Sequence, residues 1–166
     1  MALIILNPSK SLNKAYRKQK PLRSEFDNFK LQLKTLLDCI SEKESEEYNK
    51  NLVRDFLLNT FYTDLKVNTK GKTDLAVYFG KTKNIGIIIE TKKPSNNSEM
   101  VRKDDINKKA MHEAILYYLR ERIDEKNDEI KNIIITNNFH WFIFDAQIFE
   151  KLFYKNKSFK ANYESW

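Results

Sequence analysis

A chain of 166 residues with 41% hydrophobic and 13% aromatic content suits one folded domain and carries too much apolar matter for a disordered tail. Its one cysteine, Cys39, excludes a disulfide framework and a cysteine-rich zinc site, and fits a reducing cytoplasm. The net charge of +7 allows a polyanionic partner, although lysine outnumbers arginine 24 to 6 and asparagine is abundant, a composition that is basic for other reasons too.

The chain opens with "MALIILNPSK", whose apolar run is too short for a signal peptide or a membrane span, and no later run approaches spanning length. A cytoplasmic protein with no membrane partner is therefore expected. The segment "KSLNKAYRKQKPLR" holds six basic residues and no acid, making residues 1–23 a basic arm, while "SEKESEE" further on is acidic. Phe26, Phe29, Leu33, Leu36, Leu37 and Ile40 recur at helical spacing and predict a long amphipathic helix. Ser41 and Glu44 offer a capping box to a second helix, which carries Tyr48, Leu52, Val53, Phe56 and Leu57 on one face and ends near Phe61.

The period then changes. "TDLKVNT" and "TDLAVYFG" read as strands hinged at Gly71, and "NIGIIIETK" is a third strand apolar enough to be central. "DINKKAMHEAILYYLRERIDEK" predicts a helix with Met111, Ile115, Tyr118, Leu119 and Ile123 toward the core. "NIIITN" and "HWFIFD" predict two more strands, and "AQIFEKLFY" a last helix. Three consecutive strands, a helical crossover and further strands imply an α/β fold: a mixed central sheet flanked by helices, in one domain over residues 1–166.

The central strand ends in charge, at Glu90, Thr91 and Lys92. A five-residue turn at "GKTKN" sets Phe79 opposite Ile85 and Asp74 directly across from Glu90; a slip by two would set Asp74 against Lys92 instead. Opposed side chains on neighbouring strands lie roughly 5 Å apart, where two carboxylates need a cation between them. Mg²⁺, which takes oxygen ligands and keeps several waters, answers that need. Lys92 returns to the face of Glu90 by the strand period of two, and an ammonium beside a metal-bound water can position a nucleophile. The bland alternative is a strand-end ion pair, which leaves two carboxylates at one level unexplained. His140 and Trp141 read as sheet packing, and Asp64 lacks a partner motif.

"TDLAVYFG…IGIIIETKKP" resembles the PD-(D/E)XK nuclease core, with Asp74 as the first acid, Glu90-Thr91-Lys92 as the second half, and Thr73 where the pattern's name has proline. "LNPSKSLNKAYRK", "SEEYNKNLVRDFLLNTFY", "NTKGKTDLAV", "SEMVRKDDINKKAMHEAILYYLRERI" and "IIITNNFHWFIFDAQIFEKLF" resemble the N-terminal cleavage domain of fused type IIG/IIL restriction–modification enzymes, over nearly the whole chain. The resemblance implies a restriction-endonuclease-like core and a Mg²⁺-dependent endodeoxyribonuclease, with Mn²⁺ a possible substitute. Double-stranded DNA would be the substrate, and methyltransferase and target-recognition domains would belong to the same longer polypeptide. Dimerisation for double-strand cleavage is a possibility it raises. It assigns Asp74, Glu90 and the Thr91 carbonyl to the metal and Lys92 to the attacking water. A first-helix Glu joins them, for which Glu47 is favoured over Glu46 because Glu47 and Asn51 sit one turn apart beside the Leu52/Phe56 face. The family's Gln-x-x-x-Tyr motif corresponds to Glu113 and Tyr117, with His112 beside them, as DNA or site support; the alternative is a packed Tyr117 and an exposed His112. Lys14, Arg17, Lys18 and Lys20 of the arm, with Lys103, Lys108 and Lys109, would contact phosphates, or the arm would dock on the methyltransferase part. Two rivals stand beside this reading: a catalytically inactive DNA-binding or docking module on the same fold, and a structure-directed DNA repair nuclease.

Overall fold

The computed structural model of the protein describes residues 4–80 and 84–165. Residues 1–3 of the arm, 81–83 of the expected turn and 166 lie outside the described residues.

The arm forms two short helices, α1 (Pro8–Ser11) and α2 (Lys14–Lys18), each started by an asparagine side chain, Asn7 or Asn13, that accepts a backbone N–H. All its described residues up to Leu22 are exposed, so it adds nothing to the core. Helix α3 (Arg23–Cys39) and helix α4 (Glu46–Thr60) follow. The cap of α4 is Ser45, not the expected Ser41–Glu44 box: Ser45 Oγ accepts the Tyr48 N–H at 3.0 Å. The reason is that Ser41 is drawn away, its carbonyl accepting from Asn49 Nδ2 at 3.0 Å. On α3 the apolar face is narrower than its spacing implied, since Leu36 is buried while Phe26 and Leu37 are exposed.

Five strands make one sheet in the order β1 (Lys66–Lys70), β2 (Thr73–Tyr78), β3 (Ile85–Thr91), β4 (Asn132–Thr136), β5 (Trp141–Asp145). β1, β2 and β3 form an antiparallel meander. Helix α5 (Lys109–Ile123) then carries the chain over to β4, which pairs parallel with β3, and β5 closes the sheet antiparallel. The α/β class and the mixed, helix-flanked sheet are thus as expected. β3 is central and buried along its whole length, which is why four isoleucines serve it and why no polar residue appears before Glu90.

The two faces of the sheet feed two cores. Leu75, Val77, Ile87 and Ile89 pack with Leu36, Val53, Phe56 and Leu57 of α3 and α4. Ala76, Ile88, Ile133 and Ile135 pack with Ala110, Met111, Ala114 and Tyr118 of α5 and with Phe149. Each fully buried aliphatic side chain is worth about 1.5–3 kcal/mol against exposure, so the alternation fixes which residues of β2 and β3 face which layer. The expected core side of α5 is turned slightly, with Ala110, Ala114 and Tyr117 buried and Ile115 and Ile123 only partly so.

The hairpin register departs from expectation at its turn end. Leu75 pairs with Ile89, Ala76 with Ile88 and Val77 with Ile87, but Tyr78, not Phe79, faces Ile85. Gly86 is the extra residue of a bulge, and the Phe79 ring lies where a Gly86 side chain would be. After β5, the expected single helix is a short α6 (Ala146–Phe149) running into a π-helical turn at Glu150–Tyr154, followed by α7 (Lys157–Glu164). Arg122 and Tyr118 of α5 both donate to Glu150 there, at 3.0 and 2.9 Å.

Candidate active site

The pairing of β2 with β3 ends at Leu75–Ile89, and the next residue on the two strands is Asp74 on one and Glu90 on the other. Asp74 is half-buried and tightly held: the Thr91 N–H and Thr91 Oγ1 both donate to Asp74 Oδ2, at 3.0 and 2.8 Å. Its second oxygen, Oδ1, faces Lys50 Nζ of α4 at 3.8 Å. Lys50 also pairs with Glu47, one turn earlier on α4.

Glu90 is 1% exposed and Lys92 4%. Lys92 Nζ lies 2.6 Å from Glu90 Oε1 and donates to Glu113 Oε2 of α5 at 2.7 Å. Glu90 Oε2 is buried with no hydrogen-bond partner among the described residues. A bare carboxylate oxygen in a protein interior is costly unless something positive or a proton sits on it. Burial first, and then the charge of Asp74, push the Glu90 carboxyl up to about 9 against the pull of Lys92. Burial alone would lower the Lys92 ammonium, but Glu90 and Glu113 outweigh it and hold it above its ordinary value. The ammonium therefore stays charged, and Glu90 is the group that titrates.

The other expected residues are spread around this centre and beyond it. Glu47 sits at the rim, 62% exposed, and joins the centre through Lys50. Glu46 reaches the chain just past the end of β3 instead: its Oε2 accepts the Lys93 N–H at 3.2 Å. Tyr117 is buried near the acids, and burial followed by the charges of Glu90, Glu113 and Asp74 raises its hydroxyl. His112 is exposed and turned to Asn107 Oδ1 at 2.7 Å. Lys108 pairs with Asp105 and the exposed Lys109 with Glu99, and Lys103 and the arm residues Lys14, Arg17, Lys18 and Lys20 are exposed too.

Lys50 is the residue the sequence reading overlooked. Its signal was there: Lys50, Val53 and Leu57 follow one another at helical spacing, which puts a lysine on the apolar face of α4.

Among the described residues, no three His, Cys, Asp or Glu side chains stand together as a ready metal cluster. Mg²⁺ does not require one, since it is commonly held by one or two carboxylates with waters completing its shell. Asp74 and Glu90, each with one oxygen not committed to a strong hydrogen bond within the protein, fit that pattern.

Residues 6–166 match the family described as Domain of unknown function (DUF7149), and the chain belongs to it. No curated protein and no solved structure matches the chain. No helix among the described residues is long and apolar enough to cross a membrane.

Proposed function

We propose that this domain is a Mg²⁺-dependent endodeoxyribonuclease with a restriction-endonuclease-like PD-(D/E)XK core, the DNA-cleaving part of a type IIG/IIL restriction–modification polypeptide. The observation that carries the reading is the meeting of Asp74, Glu90 and Lys92 at one strand end, with Glu90 Oε2 buried and bare. The antiparallel meander crossing through α5 to a parallel strand supports the core assignment.

In this reading Asp74 Oδ1, Glu90 Oε2 and the Thr91 carbonyl hold the ion, with Glu47 near it at the rim. Bound there, Mg²⁺ or Mn²⁺ supplies a Lewis acid for the scissile phosphate and a bound water of lowered pKa. Thr91 keeps Asp74 in place through two hydrogen bonds, and Glu113 fixes the Lys92 ammonium. Lys92 then orients the attacking water or takes up charge developing on the phosphorus oxygens. The exposed lysines and Arg17 of the arm contact DNA phosphates without reading bases.

A second reading, a catalytically idle docking or DNA-binding module, is favoured by one observation. Each acid already has an ammonium in reach, Lys50 for Asp74 and Lys92 for Glu90. Plasmid DNA with Mg²⁺ or Mn²⁺ decides between them. The nuclease nicks or linearises DNA, and Glu90→Ala and Lys92→Ala abolish cutting while leaving DNA binding intact. Wild-type protein that binds DNA and never cuts it leaves the idle module; variants that cut as well as wild type overturn the site assignment.

A further inference from the structure

Lys50 is a site residue that the resemblance does not supply, and the role assigned to it here rests on the metal reading above. Asp74 and Glu90 each commit one oxygen inside the protein, Oδ2 to Thr91 and Oε1 to Lys92. The two remaining oxygens differ. Glu90 Oε2 has no partner, whereas Asp74 Oδ1 has Lys50 Nζ at 3.8 Å, close enough for an ion pair and too far for a hydrogen bond.

Lys50 is held from its other side by Glu47. The lysine side chain is 11% exposed and the Glu47 side chain 62%, so a nearly buried ammonium spans from a rim carboxylate to an interior one. A lysine is seldom buried unless its charge is answered. We propose that Lys50 is a built-in counter-cation: seated on Glu47, it also offsets the charge of Asp74 in the ion-free protein, and a divalent ion entering at Asp74 and Glu90 drives it off Asp74 and leaves it to Glu47 alone.

The physical basis is competition between like charges for one carboxylate. An ion on Asp74 Oδ1 repels the ammonium at short range in a site with little water to screen it. Glu47 already holds that ammonium, so the exchange strands no charge. The residue thus stabilises the empty centre and weakens ion binding at the same time. A purely structural lysine would do only the first.

The full chain is tested with Lys50→Met, Lys50→Arg and Asp74→Asn, by Mn²⁺ titration followed through the spin resonance of the free ion and by thermal melts with and without Mn²⁺. Lys50→Met is expected to bind Mn²⁺ roughly tenfold tighter. It melts below wild type without the ion, and the gap narrows at saturating Mn²⁺. Lys50→Arg behaves as wild type, and Asp74→Asn loses affinity. Lys50→Gln serves in the same way should the methionine variant not fold. An equal loss of melting temperature with and without Mn²⁺, or unchanged or weaker affinity, overturns the role of Lys50 while Asp74→Asn still reports the ion. If wild type and every variant fail to bind Mn²⁺, the metal reading itself falls and this inference with it.

Discussion

Thr91 and Asp74 are joined twice across the β2–β3 pair, the Thr91 N–H and hydroxyl both donating to Asp74 Oδ2. The residue between the glutamate and the lysine of the strand end is therefore not a spacer. It fixes the carboxylate of the neighbouring strand and leaves Asp74 Oδ1 facing Lys50.

Replacing Thr91 by valine removes the hydroxyl bond and keeps the backbone one. A net hydrogen bond contributes about 0.5–1.5 kcal/mol, and those to charged groups about 1.5–3, so stability should fall by roughly 1–2 kcal/mol. Denaturant melts measure that loss. On the proposed nuclease reading, the same variant should also need more Mg²⁺ to reach half its maximal cleavage rate, because Asp74 is no longer held in one orientation. Unchanged stability would show that the hydroxyl bond contributes nothing.

Glu90 makes stability depend on pH in a defined window. Its folded carboxyl titrates at about 9, against 4.5 when unperturbed, so the folded state keeps a proton that the unfolded state has released. The stability this proton linkage contributes is complete below 4.5, drains as pH rises toward 9, and is gone above it. Glu113 acts oppositely: burial raises its carboxyl, but hydrogen bonds with Lys92 and Glu90 and the charges of Lys92 and Lys109 together outweigh burial and lower it, so its contribution is lost only on acidification below the ordinary glutamate range. Metal-free Glu90→Gln should flatten the melting temperature between pH 5 and 9 relative to wild type. A wild-type profile already flat across that range would contradict the protonated carboxyl.

Gly86 tests the bulge. A methyl group there would lie 2.0 Å from Phe79 Cδ2 and 2.3 Å from Cε2, so the ring must move or the strand must shift. Gly86→Ala should cost about 1–3 kcal/mol by overpacking. In a Phe79→Ala background the same substitution should cost much less, a coupling that a double-mutant cycle in denaturant reads directly. Additive costs would mean that Phe79 yields freely.

How much was visible in the sequence follows from what each residue depends on. Glu90, Lys92 and Asp74 were legible because strand alternation and one pairing register suffice to bring them together. Lys50 was only half so: its spacing with Val53 and Leu57 puts it on the apolar face of α4, but its role appears only when α4 is packed against the end of β2. Ser45 displaced Ser41 as the helix cap because a tertiary bond from Asn49 claimed the Ser41 carbonyl, which local pattern cannot foresee. The π-helical turn at Glu150–Tyr154 likewise coincides with long-range bonds from Arg122 and Tyr118.

The bulge at Gly86 also insulates the acidic end of the hairpin from its turn. Pairing from Leu75–Ile89 to Val77–Ile87 keeps one register, and the irregularity is absorbed between Val77 and Tyr78. The change of register at the turn end of the hairpin is therefore confined to Tyr78 and Ile85, and the three pairs nearest the charged strand end stay in step with one another.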